Sequence, residues 1–277
     1  MFLFILFHFV LDDQLKQEET GSIDFGALTA LPVSLDEMYE QNFECAFGRV
    51  IKINQQDAKL LNEMVMPVES HWRDTKPIIA MVMAAGEPPP ETLFKEILDN
   101  EKFENILKET LSILFPIRSK VVHVMHKSII DWLKKDNHFF TIGQSDLDQA
   151  HTKLGKQCAD LIGALLDTTE KDLLTVCHQE LTEDAGMNHY AIKYGIMHMC
   201  QGGMVGEAKK ILFYFDWLIL KCCLGLSTGL VEDGNCVLQF VEEKDKRAIE
   251  LLISALKLAL PAISKDKGWR ELPGQLV

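Results

Sequence analysis

The chain has 277 residues and is 47% hydrophobic, which is enough apolar content to bury a core and excludes an intrinsically disordered chain. Its formal net charge is −13, and its isoelectric point is near 5.1. A surface of this average sign repels a phosphate backbone, and the densest basic stretches, at 118–127 and 244–247, are short and interrupted. The composition therefore argues against general nucleic-acid binding.

The cysteines favour a reducing compartment. Seven of them occur, an odd number without any C-x-x-C pair, and most fall in apolar helical patterns. They are Cys45, Cys158, Cys177, Cys200, Cys222, Cys223 and Cys236. We expect reduced, buried thiols and a cytoplasmic protein.

The first 30 residues are apolar at the start and small and polar afterwards. Residues 2–11 are almost wholly apolar, but they lack a basic leader and a small-residue cleavage site, and they are too few to span a bilayer. Residues 17–32 contain Gly21 and Gly26 and end in Leu31-Pro32, which is typical of a linker. The pattern predicts that residues 1–30 are the end of a preceding helical domain followed by a linker.

Residues 31–140 alternate short helices with one hairpin. Ser34 and Glu37 form a capping box at the start of the first helix. Further helices are predicted over 77–85, 91–98, 101–112 and 128–134, and the alternation over 117–126 predicts a β-hairpin around Arg118-Ser119-Lys120. Helices followed by a small two-stranded wing predict a winged-helix domain.

Residues 145–277 show longer amphipathic patterns. Helices are predicted over 145–166, 189–201, 205–223 and 244–264, with glycine-rich joints such as Gly202-Gly203. No fixed period repeats cleanly. The segment is predicted to be a connector of stacked helical hairpins, so the fold class of the chain is mainly α.

No motif for catalysis is found. The nearest fragment to a phosphate-binding loop, Gly155-Lys156-Gln157, lacks the first glycine and the Ser or Thr that binds magnesium. His189, His198 and Cys200 lie close in sequence but not at a known metal-binding spacing. The acidic pairs Glu183-Asp184 and Glu242-Glu243 are typical of solvated helix ends. We expect no enzyme activity, no metal and no cofactor in the chain by itself.

His126 is the one candidate functional residue. It stands where the second strand of the predicted hairpin gives way to a helix, a position from which an imidazole can contact an anion. From the residues alone, the favoured interpretation is a local capping histidine.

Several separated stretches resemble the signal-transducing NTPases with a NACHT-type nucleotide-binding module, especially those that end in WD-type or ankyrin repeats. The stretches lie at 31–39, 88–91, 114–133, 190–200, 215–218, 256–260 and 272–276. The resemblance implies a winged-helix domain followed by a helical connector, between an ATPase core and a repeat sensor. In related receptors the position of Met125-His126 belongs to a Met-His-Asp signature whose histidine touches the β-phosphate of ADP; here Lys127 replaces the aspartate.

The resemblance therefore implies a non-catalytic regulatory segment that couples the ADP or ATP state of a NACHT core to oligomerisation, with His126 as nucleotide-sensing residue. The expected partners are the NACHT core, the repeat domains, other proteins and a second copy of the chain, but neither nucleic acid nor membrane. One alternative is a helical interaction scaffold without a nucleotide role. Another is a nucleic-acid-binding winged helix that reads with residues 91–98, although Glu91, Glu96 and Asp99 make that helix acidic.

Overall fold

The computed structural model describes residues 34–57, 68–98, 104–167 and 183–265. These residues are mainly helical and include one small antiparallel sheet of two strands, which confirms the predicted mainly α class. The chain forms two compact units. Unit 1 comprises Met1–Asp74 and His126–Thr141, and unit 2 comprises Thr75–Met125 and Ile142–Val277. The predicted segment 1–30 lies outside the described residues.

The helices in chain order are α1 (Leu35–Asp57), α2 (Val68–Ala84), α3 (Glu91–Ile97), a π-helix (Glu104–Thr110), α4 (Lys127–Leu133), α5 (Gln144–Leu166), α6 (Glu183–Gln201), α7 (Val205–Leu212), α8 (Phe215–Cys223), α9 (Ser227–Phe240) and α10 (Glu243–Ile263). The strands are β1 (Ile117–Arg118) and β2 (Val121–Val122). None of the helices within the described ranges is long and apolar enough to cross a membrane.

Unit 1 is built on an aromatic core. Helix α1 begins as its sequence predicts, because the Ser34 hydroxyl accepts a hydrogen bond from the Glu37 amide at 3.2 Å. Six buried aromatic side chains from α1, the first part of α2, and the segment 126–141 pack together: Tyr39, Phe43, Phe47, Trp72, Trp132 and Phe140. Phe43 lies at the centre, with ring centroids 5.1 Å from both Trp132 and Phe140. Such tilted and edge-to-face contacts add to the hydrophobic stabilisation of this unit.

The β-hairpin of unit 2 confirms the predicted one. Ile117 pairs with Val122, and Arg118 pairs with Val121. Ser119 and Lys120 both have positive φ angles, 51° and 62°, as the two central residues of a type I′ turn require. The preceding proline segment extends the pairing, since Pro90 bridges to Val121.

Three helix predictions were wrong. Helix α2 begins at Val68, well before the predicted residue 77, and contains Pro77 in its interior. The predicted single helix over 205–223 is interrupted at Phe213 and Tyr214, which divides it into α7 and α8. Helix α9 was missed because Gly229 and Gly234 lower its helix propensity. Packing against α6, α7, α8 and α10 stabilises α9 where propensity does not.

The long helices α5 and α6 pack closely against each other in unit 2. His151 lies against His198 and Cys158 lies against Gly195, so the two helices are antiparallel. Glycines allow the approach: a Cβ atom on Gly202 would lie 2.7 Å from the Cα of Thr152, and one on Gly155 would lie 3.0 Å from the carbonyl oxygen of His198. Since these neighbours are backbone atoms, no side-chain rotation relieves such a contact.

We predict that Gly202→Ala destabilises the protein by about 1–3 kcal/mol, because the added methyl forces α5 and α6 apart. Gly163→Ala is the matched control. Gly163 lies in α5, and a Cβ atom there would have nothing within 4 Å, so alanine should be neutral or stabilise by up to about 1 kcal/mol. Urea denaturation followed by circular dichroism measures both. Equal stabilities for the two variants would contradict the close backbone contact.

Candidate functional site

His126, the residue that the sequence singles out, caps helix α4 in unit 1. Its Nδ1 atom accepts a hydrogen bond from the Ser128 amide at 3.2 Å and lies 2.5 Å from the Ser128 hydroxyl oxygen. The same hydroxyl lies 2.6 Å from the Tyr39 hydroxyl of α1. The prediction of a local capping histidine is therefore confirmed.

This cap determines the tautomer of the neutral ring. Since Nδ1 accepts from a backbone N–H, the proton of neutral His126 is on Nε2. The ring is half-buried, and Nε2 has no hydrogen-bond partner among the described residues. The role of His126 in nucleotide sensing stays a prediction.

A second group of polar side chains is buried between α5 and α6 in unit 2. The Nδ1 atoms of His151 and His198 lie 2.9 Å apart, and the Nε2 atom of His198 lies 3.0 Å from the Tyr190 hydroxyl. His198 and Tyr190 are 0% and 2% exposed, and His151 is 8% exposed. We call these three residues the His–His–Tyr chain.

The contacts of the His–His–Tyr chain are satisfied by an order of protons in which both ring nitrogens of His198 are used. The Gly86 amide donates to the Tyr190 oxygen, and the Tyr190 hydroxyl donates to Nε2 of His198. His198 then carries its proton on Nδ1 and donates it to Nδ1 of His151. His151 keeps its own proton on Nε2. Both rings are neutral in this arrangement, and both nitrogens of His198 are used.

Burial keeps the His–His–Tyr chain neutral. Desolvation, with a smaller effect from the neighbouring His151, lowers the pKa of His198 to about 3. Desolvation also lowers the pKa of His151, against the opposing effect of Asp148, and it raises the pKa of Tyr190. A general acid or base works best with a pKa near the working pH, so these three residues are suited to fixing the α5–α6 register rather than to proton transfer.

A smaller polar cluster adjoins the His–His–Tyr chain. The Glu87 carboxylate accepts hydrogen bonds from Lys193 Nζ at 2.6 Å and from the Tyr194 hydroxyl at 3.0 Å. The Tyr194 ring contacts the Tyr190 ring at a centroid distance of 5.2 Å and leaves no room for a side chain at Gly86. The segment before α3 is thereby held against α6.

Among the described residues of unit 2, one ion pair is fully buried. Lys221 of α8 donates to Asp233 of α9 at 2.5 Å, and the two side chains are 1% and 8% exposed. Desolvation raises the pKa of Asp233 to about 6, while Lys221 opposes this shift. Leaving either charge buried without its partner is strongly unfavourable, so the pair fixes how α8 and α9 meet.

The sequence missed most of these groups. His151, Tyr190, Lys221 and Asp233 fall on helix faces that otherwise carry apolar residues, and a polar residue on such a face is the one available signal. The sequence does not reveal which helix supplies the partner. Among the described residues, no group of three or more His, Cys, Asp or Glu side chains is arranged to hold a metal ion.

The His–His–Tyr chain predicts an acid-sensitive fold. A histidine in the unfolded chain has a pKa near 6.5, so below that pH it binds a proton that buried His198 does not bind. His198 therefore contributes stability above pH 6.5 that is lost as the pH falls below 6.5. At pH 5 the loss from His198 is about 2 kcal/mol, and His151 adds to it. The raised pKa of Asp233 acts in the opposite direction between about pH 6 and pH 4.

The test therefore compares how the stability of the native chain and of its variants changes with pH. We expect the loss of stability from pH 7.5 to pH 5 to be smaller in His198→Gln than in the native chain, by about 2 kcal/mol, because the Asp233 contribution cancels. His189→Gln on the same helix is the control and should keep the native pH dependence. An unchanged pH dependence in His198→Gln would show that His198 is protonated as readily in the folded as in the unfolded chain.

No family model, curated protein or solved structure matches the chain. The resemblance to NACHT-type NTPases stays a prediction, and a function has to follow from the described residues themselves.

Proposed function

We propose that this chain is a non-catalytic helical assembly module, in which helix α10 of unit 2 binds a second copy of itself. The observation that carries the proposal is that α10 has two apolar faces. The inner face, with Ile249, Ile253 and Leu256, is buried in unit 2. On the outer face Leu251 is 54% exposed and Leu258 is 82% exposed, the two highest values among the large apolar side chains of the described ranges. Exposure of large apolar residues on one helix face is typical of an interaction surface.

The outer face has the spacing of a coiled-coil seam. Alanines recur every seven residues at Ala248, Ala255 and Ala262, and leucines do so at Leu251 and Leu258. Each leucine follows an alanine by three residues, so the alanines occupy a positions and the leucines d positions of one heptad pattern. All five residues are half-exposed or exposed. We call this face the α10 seam.

The seam is complementary to itself when two copies are antiparallel. In that orientation an a position of one helix lies opposite a d position of the other. Leu258 then lies opposite Ala248 of the second copy, and Leu251 lies opposite its Ala255. Each of these layers combines one large and one small side chain, and the two-fold symmetry repeats each contact.

Charge opposes the association as a whole but does not act at the seam itself. In the heptad pattern Glu250 and Lys257 occupy c positions, which face away from the second helix, and uncharged Ser254 lies near the symmetry axis. The net charge of −13 on each chain repels the second copy. Association should therefore strengthen as added salt screens this repulsion.

The winged-helix assignment belongs to the same proposal. Its support is the chain order of helices, β-hairpin and capped helix within 31–140, followed by the helical segment 145–277, whereas the compact units place the hairpin in unit 2 and α4 in unit 1. In the more specific form, which rests on the resemblance to NACHT-type NTPases, this module couples the nucleotide state of a NACHT core to oligomerisation. The buried His–His–Tyr chain and the Lys221–Asp233 pair are fully used in packing, which favours assembly over catalysis.

We predict a concentration-dependent dimer that Leu258→Glu weakens at least 100-fold. Two leucines are removed per dimer, at about 1.5 kcal/mol or more each. Lys257→Glu is the control: it makes the chain more acidic at the neighbouring exposed position but leaves the seam intact, so its effect should be within about tenfold. Sedimentation equilibrium measures the dissociation constants.

A crosslink tests the register independently. Under oxidation, Ser254→Cys should form an intermolecular disulfide at low protein concentration, because residue 254 lies near the proposed symmetry axis. A cysteine at Lys265, outside the seam, should not. A native chain that stays monomeric at millimolar concentration and high salt would contradict the proposed dimerisation through α10.

A second candidate function is nucleotide sensing by His126. It is favoured by the Nε2 atom, which has no partner among the described residues, on a ring that the α4 cap holds in place. His126→Asn retains a side-chain cap and removes the imidazole, whereas His126→Ala removes both. We predict that Ala lowers stability by about 1 kcal/mol and Asn by much less. If His126 also senses nucleotide, both variants should release ADP faster in a protein that carries the NACHT core; equal retention in the native protein and both variants would leave His126 as a cap alone.

A further inference from the structure

Two cysteines of unit 2 lie on helices that pack against each other. Cys200 is the penultimate residue of α6, and Cys236 is in the second half of α9. The two helices are in direct contact. The Cys200 thiol is the hydrogen-bond partner of the Cys236 thiol, so the two sulfur atoms face each other across this contact.

The two thiols differ in their access to solvent. Cys200 is 1% exposed, whereas Cys236 is only half-buried. Cys236 follows the buried Asp233 by about one helical turn and lies at the edge of the packed face of α9. A reagent in solution therefore reaches Cys236 more readily than Cys200, and the sulfur of Cys236 is adjacent to that of Cys200.

From this contact and this difference in burial, we propose that Cys236 and Cys200 form a peroxide-reactive thiol pair, with Cys236 as the attacking sulfur and Cys200 as the resolving one. The thiolate of Cys236 attacks one oxygen of hydrogen peroxide; an S–O bond forms, the O–O bond breaks, and the departing hydroxide takes a proton to become water. Cys236 is then a sulfenic acid.

Cys200 completes the reaction. Its sulfur attacks the sulfur of Cys236, an S–S bond forms, and the S–O bond breaks; the hydroxyl leaves with the Cys200 proton as a second water. The two thiols together lose two electrons, and one peroxide is reduced to two waters. The product links α6 to α9.

The electrostatics of the site agree with these roles. The hydrogen bond from Cys200 lowers the pKa of Cys236, which favours the thiolate there, while the pKa of Cys200 is raised by the same hydrogen bond and by burial. The nearby Asp233 opposes a thiolate, but its charge is paired with Lys221. By contrast, burial raises the pKa of Cys158 and of Cys222 to about 12, so these two thiols serve as internal references.

The first experiment treats the native full chain with hydrogen peroxide, blocks remaining thiols, and maps disulfides by mass spectrometry without reduction. We expect a peptide pair that joins Cys200 to Cys236 and lacks two hydrogen atoms. The linked protein should unfold at a temperature about 5 °C or more higher than the reduced one, since the bond closes a long loop of the unfolded chain. Absence of this peptide pair in folded, peroxide-treated protein would overturn the proposal.

Single substitutions then test the order of the two steps. Cys200→Ser should leave the sulfenic acid on Cys236 unresolved, where dimedone traps it. Cys236→Ser should abolish both the disulfide and the dimedone adduct, and Cys222→Ser should react like the native chain. A dimedone adduct on Cys200 in Cys236→Ser, or none on Cys236 in Cys200→Ser, would show that the assigned roles are wrong.

Discussion

The close contact between α5 and α6 is the constraint on which the rest of unit 2 depends. Two helices whose backbones approach to within the reach of a single methyl group bury the side chains between them. His151 and His198 face each other in that interface, and without either ring the Nδ1 atom of the other would lose its buried hydrogen-bond partner. The glycines and the His–His–Tyr chain therefore act together. The glycines determine the distance between α5 and α6, and the polar side chains determine the register of the two helices.

The buried polar groups of unit 2 restrict how its helices can pack. An apolar interface tolerates small sliding motions, because a side chain that moves away from one apolar neighbour meets another. Directed hydrogen bonds do not tolerate them, since a shift of one residue leaves several buried donors unsatisfied. The Lys221–Asp233 pair applies the same restriction between α8 and α9. A helical array with few interruptions in its apolar pattern needs such restrictions to adopt one arrangement.

The features that the sequence predicted have local causes, and the features that it missed depend on distant residues. Ser34 caps α1, Ser119 and Lys120 turn the hairpin, and His126 caps α4; each follows from residues at most three positions apart. His151 and His198, by contrast, are separated by 47 positions. Helix α9 has modest intrinsic propensity, and its place against four other helices stabilises it. The thiol pair was missed for the same reason, because its two cysteines look like ordinary buried thiols until α6 and α9 are seen to pack.

The α10 seam and the thiol pair are connected through α9. That helix packs against α6, which carries Cys200, and against α10. A disulfide between α6 and α9 would restrain α9, the helix against which α10 packs, and would leave the outer face of α10 unchanged. Oxidation would then change the rigidity of the surface beneath the seam and leave the residues of the seam in place. A pre-ordered helix loses less conformational entropy on association than a mobile one. The disulfide-linked form should therefore dimerise at least as tightly as the reduced form.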